Sequence, residues 1–265
     1  MGNERTLSQK LLTSLWTFLG VMLMVTLTLV NVRSARRIAA VKETSGGANR
    51  ALPIYSVATD EKKLSISFDC AWGVEYTDKI LQLLEQNDVR CTFFAVQFWV
   101  EKYPEYAKKI VDAGHELGTH SRTHPYMSKL TKSEIEDELS SSSKAIEDIT
   151  GVKPALFRPP YGDYNDTLIN TSLAMGLYPI QWDVDSLDWK NLSATEIALR
   201  VVNGAKNGSI ILCHNNGLHT ADALPMIFST LKNRGFAFVP IGELIYKDGY
   251  TVDHTGKQHA ADNET

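Results

Sequence analysis

Five short polar clusters interrupt the apolar runs of this 265-residue chain, and each carries side chains able to do chemistry: Phe68-Asp69-Cys70-Ala71-Trp72, His120-Ser121-Arg122-Thr123-His124, Arg158-Pro159-Pro160-Tyr161, Asp185-Ser186-Leu187-Asp188-Trp189 and Leu212-Cys213-His214. Asp69, at a strand end, is a candidate general base, although a carboxylate there also serves as a helix cap. His120 and His124 have the i, i+4 spacing that puts two imidazoles on one side of a helical turn, a pattern used by zinc sites; a pair of satisfied core or surface histidines is the bland alternative. His214 is a candidate general acid whose other ring nitrogen can be tuned by a carboxylate such as Asp188. Arg158 precedes two prolines that stiffen the chain after it, a way of aiming a guanidinium at a carboxylate.

The elements that must position these clusters follow from hydrophobic periodicity. Short apolar runs, LSISF (64–68), CTFFAV (91–96), LFRPP (156–160), LYPIQWDV (177–184), SIILCH (209–214) and FAFVPI (236–241), alternate with amphipathic stretches. Two of those stretches open with capping-box patterns, Thr131-x-x-Glu134 and Ser193-x-x-Glu196. Repeated strand-then-helix units predict parallel strands with helices outside, and in such folds the carboxyl ends of the strands share one face, where the five clusters would converge. Six or seven units are too few for an eight-fold barrel. The reading is therefore an α/β fold, a distorted (β/α) barrel with about seven parallel strands, with a doubly wound open sheet as the alternative. No G-x-G-x-x-G or P-loop follows a strand, so a nucleotide site has no support.

Composition narrows the function. Apolar residues make up 43% of the chain, which excludes wholesale disorder, and 27 basic against 31 acidic residues leave no cationic excess for nucleic acid. Three scattered cysteines, Cys70, Cys91 and Cys213, form no disulfide framework. Residues 11–32 run for 22 positions without a charge; at about 1.5 Å per residue they reach roughly 33 Å, enough to cross a hydrocarbon core of about 30 Å. The run exceeds the h-region of a signal peptide, which is about 7 to 15 residues. The organisation expected is a cytoplasmic segment 1–10, a transmembrane anchor 11–32, a linker 33–61, a catalytic domain 62–246 and a polar, frayed tail 247–265.

In this order the five clusters resemble those of the polysaccharide deacetylases, the carbohydrate esterases of family four with a NodB homology domain, over roughly residues 62–246, and FDCAWG is similar to the first motif of the sporulation-associated subgroup. The resemblance implies removal of acetyl groups from N-acetylhexosamine residues of a cell-wall or spore-wall glycan. It implies Asp69 as the base, held by Arg158; His214 as the acid, tuned by Asp188; a Tyr161 backbone N–H for the oxyanion; Trp189 and Leu212 around the acetyl group; and a divalent metal, zinc first, on His120 and His124. The family's third ligand is a second aspartate, where this chain has Cys70. Cys70 is then either a thiolate ligand or a small neighbour of Asp69. A wall substrate places the domain outside the cell membrane, against the count of flanking arginines, because large domains translocate despite such charges. The rival from another class is an inactive glycan-binding protein on the same fold.

Overall fold

The computed structural model describes residues 50 to 261, together with Trp16 and Met22. The expected cytoplasmic segment, anchor and most of the linker lie outside the described residues. No helix among the described residues is long and apolar enough to cross a membrane.

Nine of the strands matter for the architecture of the main sheet and its closure: β1 (Ser56–Val57), β2 (Lys63–Cys70), β3 (Thr92–Ala95), β4 (Glu116–Thr119), β5 (Leu156–Phe157), β6 (Tyr178–Pro179), β7 (Val184–Asp185), β8 (Ile210–His214) and β9 (Ala237–Phe238). Seven of them pair in the order β6-β5-β4-β3-β2-β8-β7, every pair parallel, and β9 pairs with the start of β2. The two ends of this path, β6 and β7, are not hydrogen-bonded to each other. The N-terminal stretch fills part of that gap: Ile54 bridges to Ile180, and Ser56 to Ser209. The result is an open, distorted barrel of seven parallel strands rather than a doubly wound sheet.

Helices cover the outside of the barrel. They are α1 (Thr77–Gln86), α2 (Gln97–Lys102), α3 (Pro104–Asp112), α4 (Lys132–Thr150), α5 (Asp166–Ala174), α6 (Ala194–Gly204), α7 (Thr220–Asn233) and the single turn α8 (Ile241–Leu244). Both predicted capping boxes form: the Thr131 and Ser193 side chains accept from the N–H groups of Glu134 and Glu196, whose carboxylates reach back. These local contacts satisfy helix-end donors and are worth about 1 kcal/mol each.

The central strand β2 sorts its residues by parity. Leu64, Ile66, Phe68 and Cys70 belong to the apolar layer between sheet and helices, with Cys213 of β8 among their companions. The alternate residues Ser65, Ser67 and Asp69 point to the other face; the serine hydroxyls donate to the carbonyls of Val239 and Ile211. A period of two thus writes an oily outer row and a short polar inner row that ends on Asp69.

Two expectations about the domain edges are corrected. Ile54, a bridge residue, and the strand Ser56–Val57 fall in the stretch read as linker, with Ile54 and Val57 buried. The C-terminal stretch, read as a frayed tail, forms β10 (Tyr250–Val252) and β11 (Lys257–Ala260), an antiparallel hairpin whose second strand pairs with β1. Tyr250 and Val252 pack in one apolar cluster with Phe94, Leu156 and Ile210. Three alternating residues are too short a run to stand out in a polar context, yet they cover the base of the core.

Candidate active site

The carboxyl ends of β2, β4, β5, β7 and β8 open into one cleft of about 530 Å³ lined by Asp69, His120, His124, Tyr161, Trp189, Leu212 and His214, and also by Ala71, Trp72, Trp182, Asp185 and Asn216. Parallel pairing brings these positions together from as far apart as residues 69 and 214. The sheet order places β2, with Asp69, between β4 and β5 on one side and β8 and β7 on the other.

Asp69 is buried, and its partner is a buried arginine: Arg158 Nη1 donates to Asp69 Oδ1 at 2.8 Å, and Nη2 to the Gln181 carbonyl at 3.2 Å. The guanidinium lies 4.2 Å from the Phe94 ring centre and 5.6 Å from that of Trp182. Burial favours the neutral acid, but the charge and hydrogen bond of Arg158, with a contribution from His214, outweigh it and hold the Asp69 carboxyl below the usual carboxylate range. Asp69 is therefore ionised at neutral pH, as a base must be.

Across the cleft, His214 is clamped by one carboxylate at two points. Asp188 Oδ1 accepts from His214 Nδ1 at 2.7 Å, while Oδ2 accepts from the His214 backbone N–H at 2.7 Å and from Thr220 Oγ1 at 2.6 Å. Asp188 is fully buried. Burial opposes the imidazolium, yet the hydrogen bond and charge of Asp188 reverse that effect and raise the His214 pKa above its ordinary value. Because Nδ1 must carry the proton that Asp188 accepts, the catalytically useful Nε2 faces the cleft. Gly217 makes the clamp possible: a Cβ there would lie 2.1 Å from Thr220 Oγ1 and 3.0 Å from Asp188 Oδ2.

The two other histidines meet by a different route from the one the spacing suggests. No helix contains them; the chain leaves β4 through Ser121 at φ 74° and His124 at φ 59°, and this bent loop sets the rings 4.9 Å apart. Non-glycine residues in the left-handed region are costly, and Ser121, His124, Tyr161 (φ 59°) and Leu187 (φ 54°) all lie at or next to the cleft. A buried carboxylate from α4 holds the loop: Glu138 accepts from the N–H groups of Arg122 and Thr123 and from the Thr123 hydroxyl. His120 donates through Nδ1 to the Arg158 carbonyl at 2.8 Å, since a carbonyl can only accept, so its Nε2 lone pair faces Asp69 Oδ2 at 3.6 Å. Burial keeps His120 neutral and pushes His124 down to about 4, with the neighbouring His120 adding to the effect on His124.

Whether these residues fit a metal depends on the third ligand. His120 offers a lone pair at Nε2, and His124 Nδ1 is buried with no hydrogen-bond partner. Cys70 is the correction: its thiol is fully buried in the apolar row with Leu64, Ile66 and Phe68, and it contacts the Phe68 carbonyl at 3.9 Å. Adjacent residues on a strand face opposite ways, so a chain that aims Asp69 into the cleft aims Cys70 out of it. Burial raises the thiol pKa well above its ordinary value. Among the described residues no group of three or more His, Cys, Asp or Glu side chains is placed to hold a metal ion. Catalytic zinc sites take three protein ligands, and the residues present do not supply them.

Both the sequence and the fold have known relatives. Residues 56–180 match the family model described as polysaccharide deacetylase. A peptidoglycan-N-acetylglucosamine deacetylase of Bacillus cereus is 34% identical over 196 residues, 72% of this chain and 92% of that protein. The chain belongs to the polysaccharide deacetylase family. The peptidoglycan-N-acetylmuramic acid deacetylase PdaA of Bacillus subtilis is 32% identical over 197 residues, 73% of this chain and 75% of that one. Among solved structures, BA3943 of Bacillus anthracis, described as a CE4 family pseudoenzyme, superposes with a TM-score of 0.71 at 34% identity, covering 78% of this chain and 72% of that one. Other curated relatives are longer, and the chain spans 60% of one and 41% of another.

Several residues that shape the site had no local signal in the sequence. Glu138, Thr220 and the Gln181 carbonyl act through contacts with residues 15 to 32 positions away. Trp72 sits inside the first motif, but only the structure shows it as a half-exposed wall of the cleft.

Proposed function

We propose that this chain is an N-deacetylase that hydrolyses the acetamide of N-acetylhexosamine residues in a cell-wall or spore-wall glycan. The observation that carries the reading is the pairing of an ionised carboxylate and a proton-bearing imidazole across one cleft, each held by a buried ion-pair partner. Asp69 takes a proton from water, whose oxygen attacks the acetyl carbonyl. Charge gathers on the carbonyl oxygen, where the Tyr161 backbone N–H is the candidate donor. His214 gives its Nε2 proton to the nitrogen as the C–N bond breaks, which leaves a free amine and acetate. Leu212 and Trp189 wall the space for the acetyl methyl. No step is routed through a metal, because the donor set is incomplete.

Incubation of the purified chain with an N-acetylhexosamine oligomer and with peptide-free wall glycan tests the reading through release of acetate. Asp69→Asn and His214→Ala should each lower the rate about 10²-fold or more. Full activity in either variant refutes the assigned roles.

A second reading, a glycan-binding protein with little or no turnover, is favoured by the outward-facing Cys70 and by the likeness to a solved pseudoenzyme. Glycan binding without acetate release selects it. In both readings residues 11–32 anchor the chain in the cell membrane with the domain outside. Protease added to intact protoplasts should digest the domain, and protection until lysis overturns this topology.

A further inference from the structure

Gln181 follows β6 as the turn Pro160–Gly162 follows β5, and the two strands pair side by side, with Phe157 opposite Pro179. The turn carries the candidate oxyanion donor, the Tyr161 N–H, on two successive left-handed residues, Tyr161 at φ 59° and Gly162 at φ 67°. Such a conformation at tyrosine persists only where the surroundings hold it. Two bonds close the turn on itself: the Gly162 N–H donates to the Pro159 carbonyl at 3.1 Å and the Asp163 N–H to the Pro160 carbonyl at 3.0 Å. They set its shape but not its place against the barrel. At its far end Asp163 accepts from the Ser128 N–H and hydroxyl, neither of which lines the cleft. The tie to the barrel strands is Gln181, whose side-chain Nε2 donates to the Gly162 carbonyl at 2.9 Å. Gln181 is 2% exposed, and its own N–H donates to the Ile54 carbonyl at 2.7 Å. The fit is close, since a Cβ on Gly162 would lie 3.1 Å from the Trp182 ring and 3.2 Å from Gln181 Oε1.

One buried residue therefore braces both halves of the reaction. Its main-chain carbonyl accepts from Arg158 Nη2 at 3.2 Å, and Arg158 in turn holds Asp69. Its side chain holds the turn that presents the Tyr161 N–H. An oxyanion donor works only within about 2.7–3.1 Å of the oxygen it serves, and a misplacement of about 1 Å costs on the order of 10²-fold in rate. We propose that Gln181 is a positioning residue for the oxyanion donor: its side-chain amide fixes the Tyr161 N–H relative to the Asp69 and Arg158 pair, so that the activated water and the donor meet the same carbonyl. A hydrocarbon side chain of equal length would fill the space, leave the Gly162 carbonyl without its donor and let the left-handed turn relax. The inference rests on the deacetylase reading above and adds a residue to its site.

Gln181→Met keeps the side-chain length and the main-chain carbonyl, and with it the Arg158 contact, so it removes the amide alone. Acetate, the product, carries an anionic oxygen where the oxyanion forms and probes the donor without turnover. In the full chain with nitrogen-labelled tyrosine, acetate should move the Tyr161 amide resonance downfield, and in Gln181→Met that response should largely disappear. The His214 ring should titrate at its wild-type midpoint in the variant, because none of the Gln181 hydrogen bonds reaches His214 or Asp188. Where acetate is released from glycan, kcat per folded molecule should fall about 10- to 10²-fold with KM within about threefold, as expected for a donor that counts in the transition state. A variant that loses stability but keeps the wild-type acetate response makes Gln181 merely structural and overturns the proposal. No acetate response at Tyr161 in the wild type, or a His214 midpoint that moves together with the lost response, also overturns it. Should Gln181→Met fail to fold, Gln181→Asn, whose amide is one methylene too short to reach Gly162, is read in the same way. A wild-type acetate response that the variant loses, without hydrolysis in either, means that the deacetylase reading fails while the positioning role stands.

Discussion

Replacing Asp188 with asparagine isolates what the buried carboxylate does for His214. The wild-type Oδ2 accepts two donors, the His214 backbone N–H and Thr220 Oγ1, so the asparagine oxygen must stay there. Its NH₂ group then faces His214 Nδ1, and a donor meets a donor unless the imidazole gives up that proton. A charge-assisted hydrogen bond of this kind contributes about 1.5–3 kcal/mol. At 1.36 kcal/mol per pKa unit, its loss lowers the His214 pKa by about 1 to 2 units. The assay is NMR titration of the His214 ring, which reads the residue whether or not the protein turns over. In the wild type the midpoint should lie above the ordinary value of about 6.5, and in Asp188→Asn below it. Stability should follow with a definite sign. A raised folded-state pKa gives stabilisation that is complete below the unfolded value and is lost as pH rises through the folded value, so the wild type should weaken from about pH 6.5 upward. The variant should lack that slope. If the enzyme is active, the alkaline limb of its rate profile should move down by the same 1 to 2 units. An unmoved midpoint in the variant would refute the claim that Asp188 sets the protonation of His214.

Cys70→Ala should leave zinc affinity unchanged within about twofold while lowering unfolding stability by about 1 kcal/mol through the small cavity in the apolar row; a tenfold loss of affinity on metal titration would restore Cys70 as a ligand. Arg158→Met leaves Asp69 buried without its counter-charge and should cost about 3–5 kcal/mol in denaturant unfolding at pH 7. Its pH dependence should also reverse: wild-type Asp69 contributes stability that is lost as pH falls through its depressed pKa, whereas in the variant protonation of Asp69 relieves the penalty, so acidification should narrow the gap between the two. Glu138→Gln keeps one acceptor where three donors converge and should destabilise by about 1–3 kcal/mol. Faster hydrogen exchange at the Arg122 and Thr123 amides would locate the loss in the histidine loop, and unchanged exchange there would contradict the clamp.

What could be read from the sequence was whatever neighbours along the chain dictate. The capping boxes at Thr131 and Ser193 need only residues three apart, and alternation within LSISFDC and IILCH divides Asp69 and His214 from Cys70 and Cys213. That same alternation, carried one residue further, already disfavours Cys70 as a ligand. The convergence of five clusters followed from parallel strands sharing one face. What the sequence could not display were interactions whose partners meet only after packing: the Glu138 clamp on the histidine loop, the Thr220 and Gly217 contacts around Asp188, and the Gln181 carbonyl that completes the fit of Arg158. The i, i+4 histidines illustrate the difference. Their spacing suggested a helix, but left-handed residues at Ser121 and His124 bring the rings together in a loop, a strained path tolerated because Glu138 and Ser121 satisfy its backbone N–H groups. The hairpin at Tyr250–Ala260 was hidden for a related reason, since so short a strand carries little periodicity and gains its stability from a distant β1 strand, where Ser56 pairs with Lys257, and from core residues such as Phe94 and Leu156.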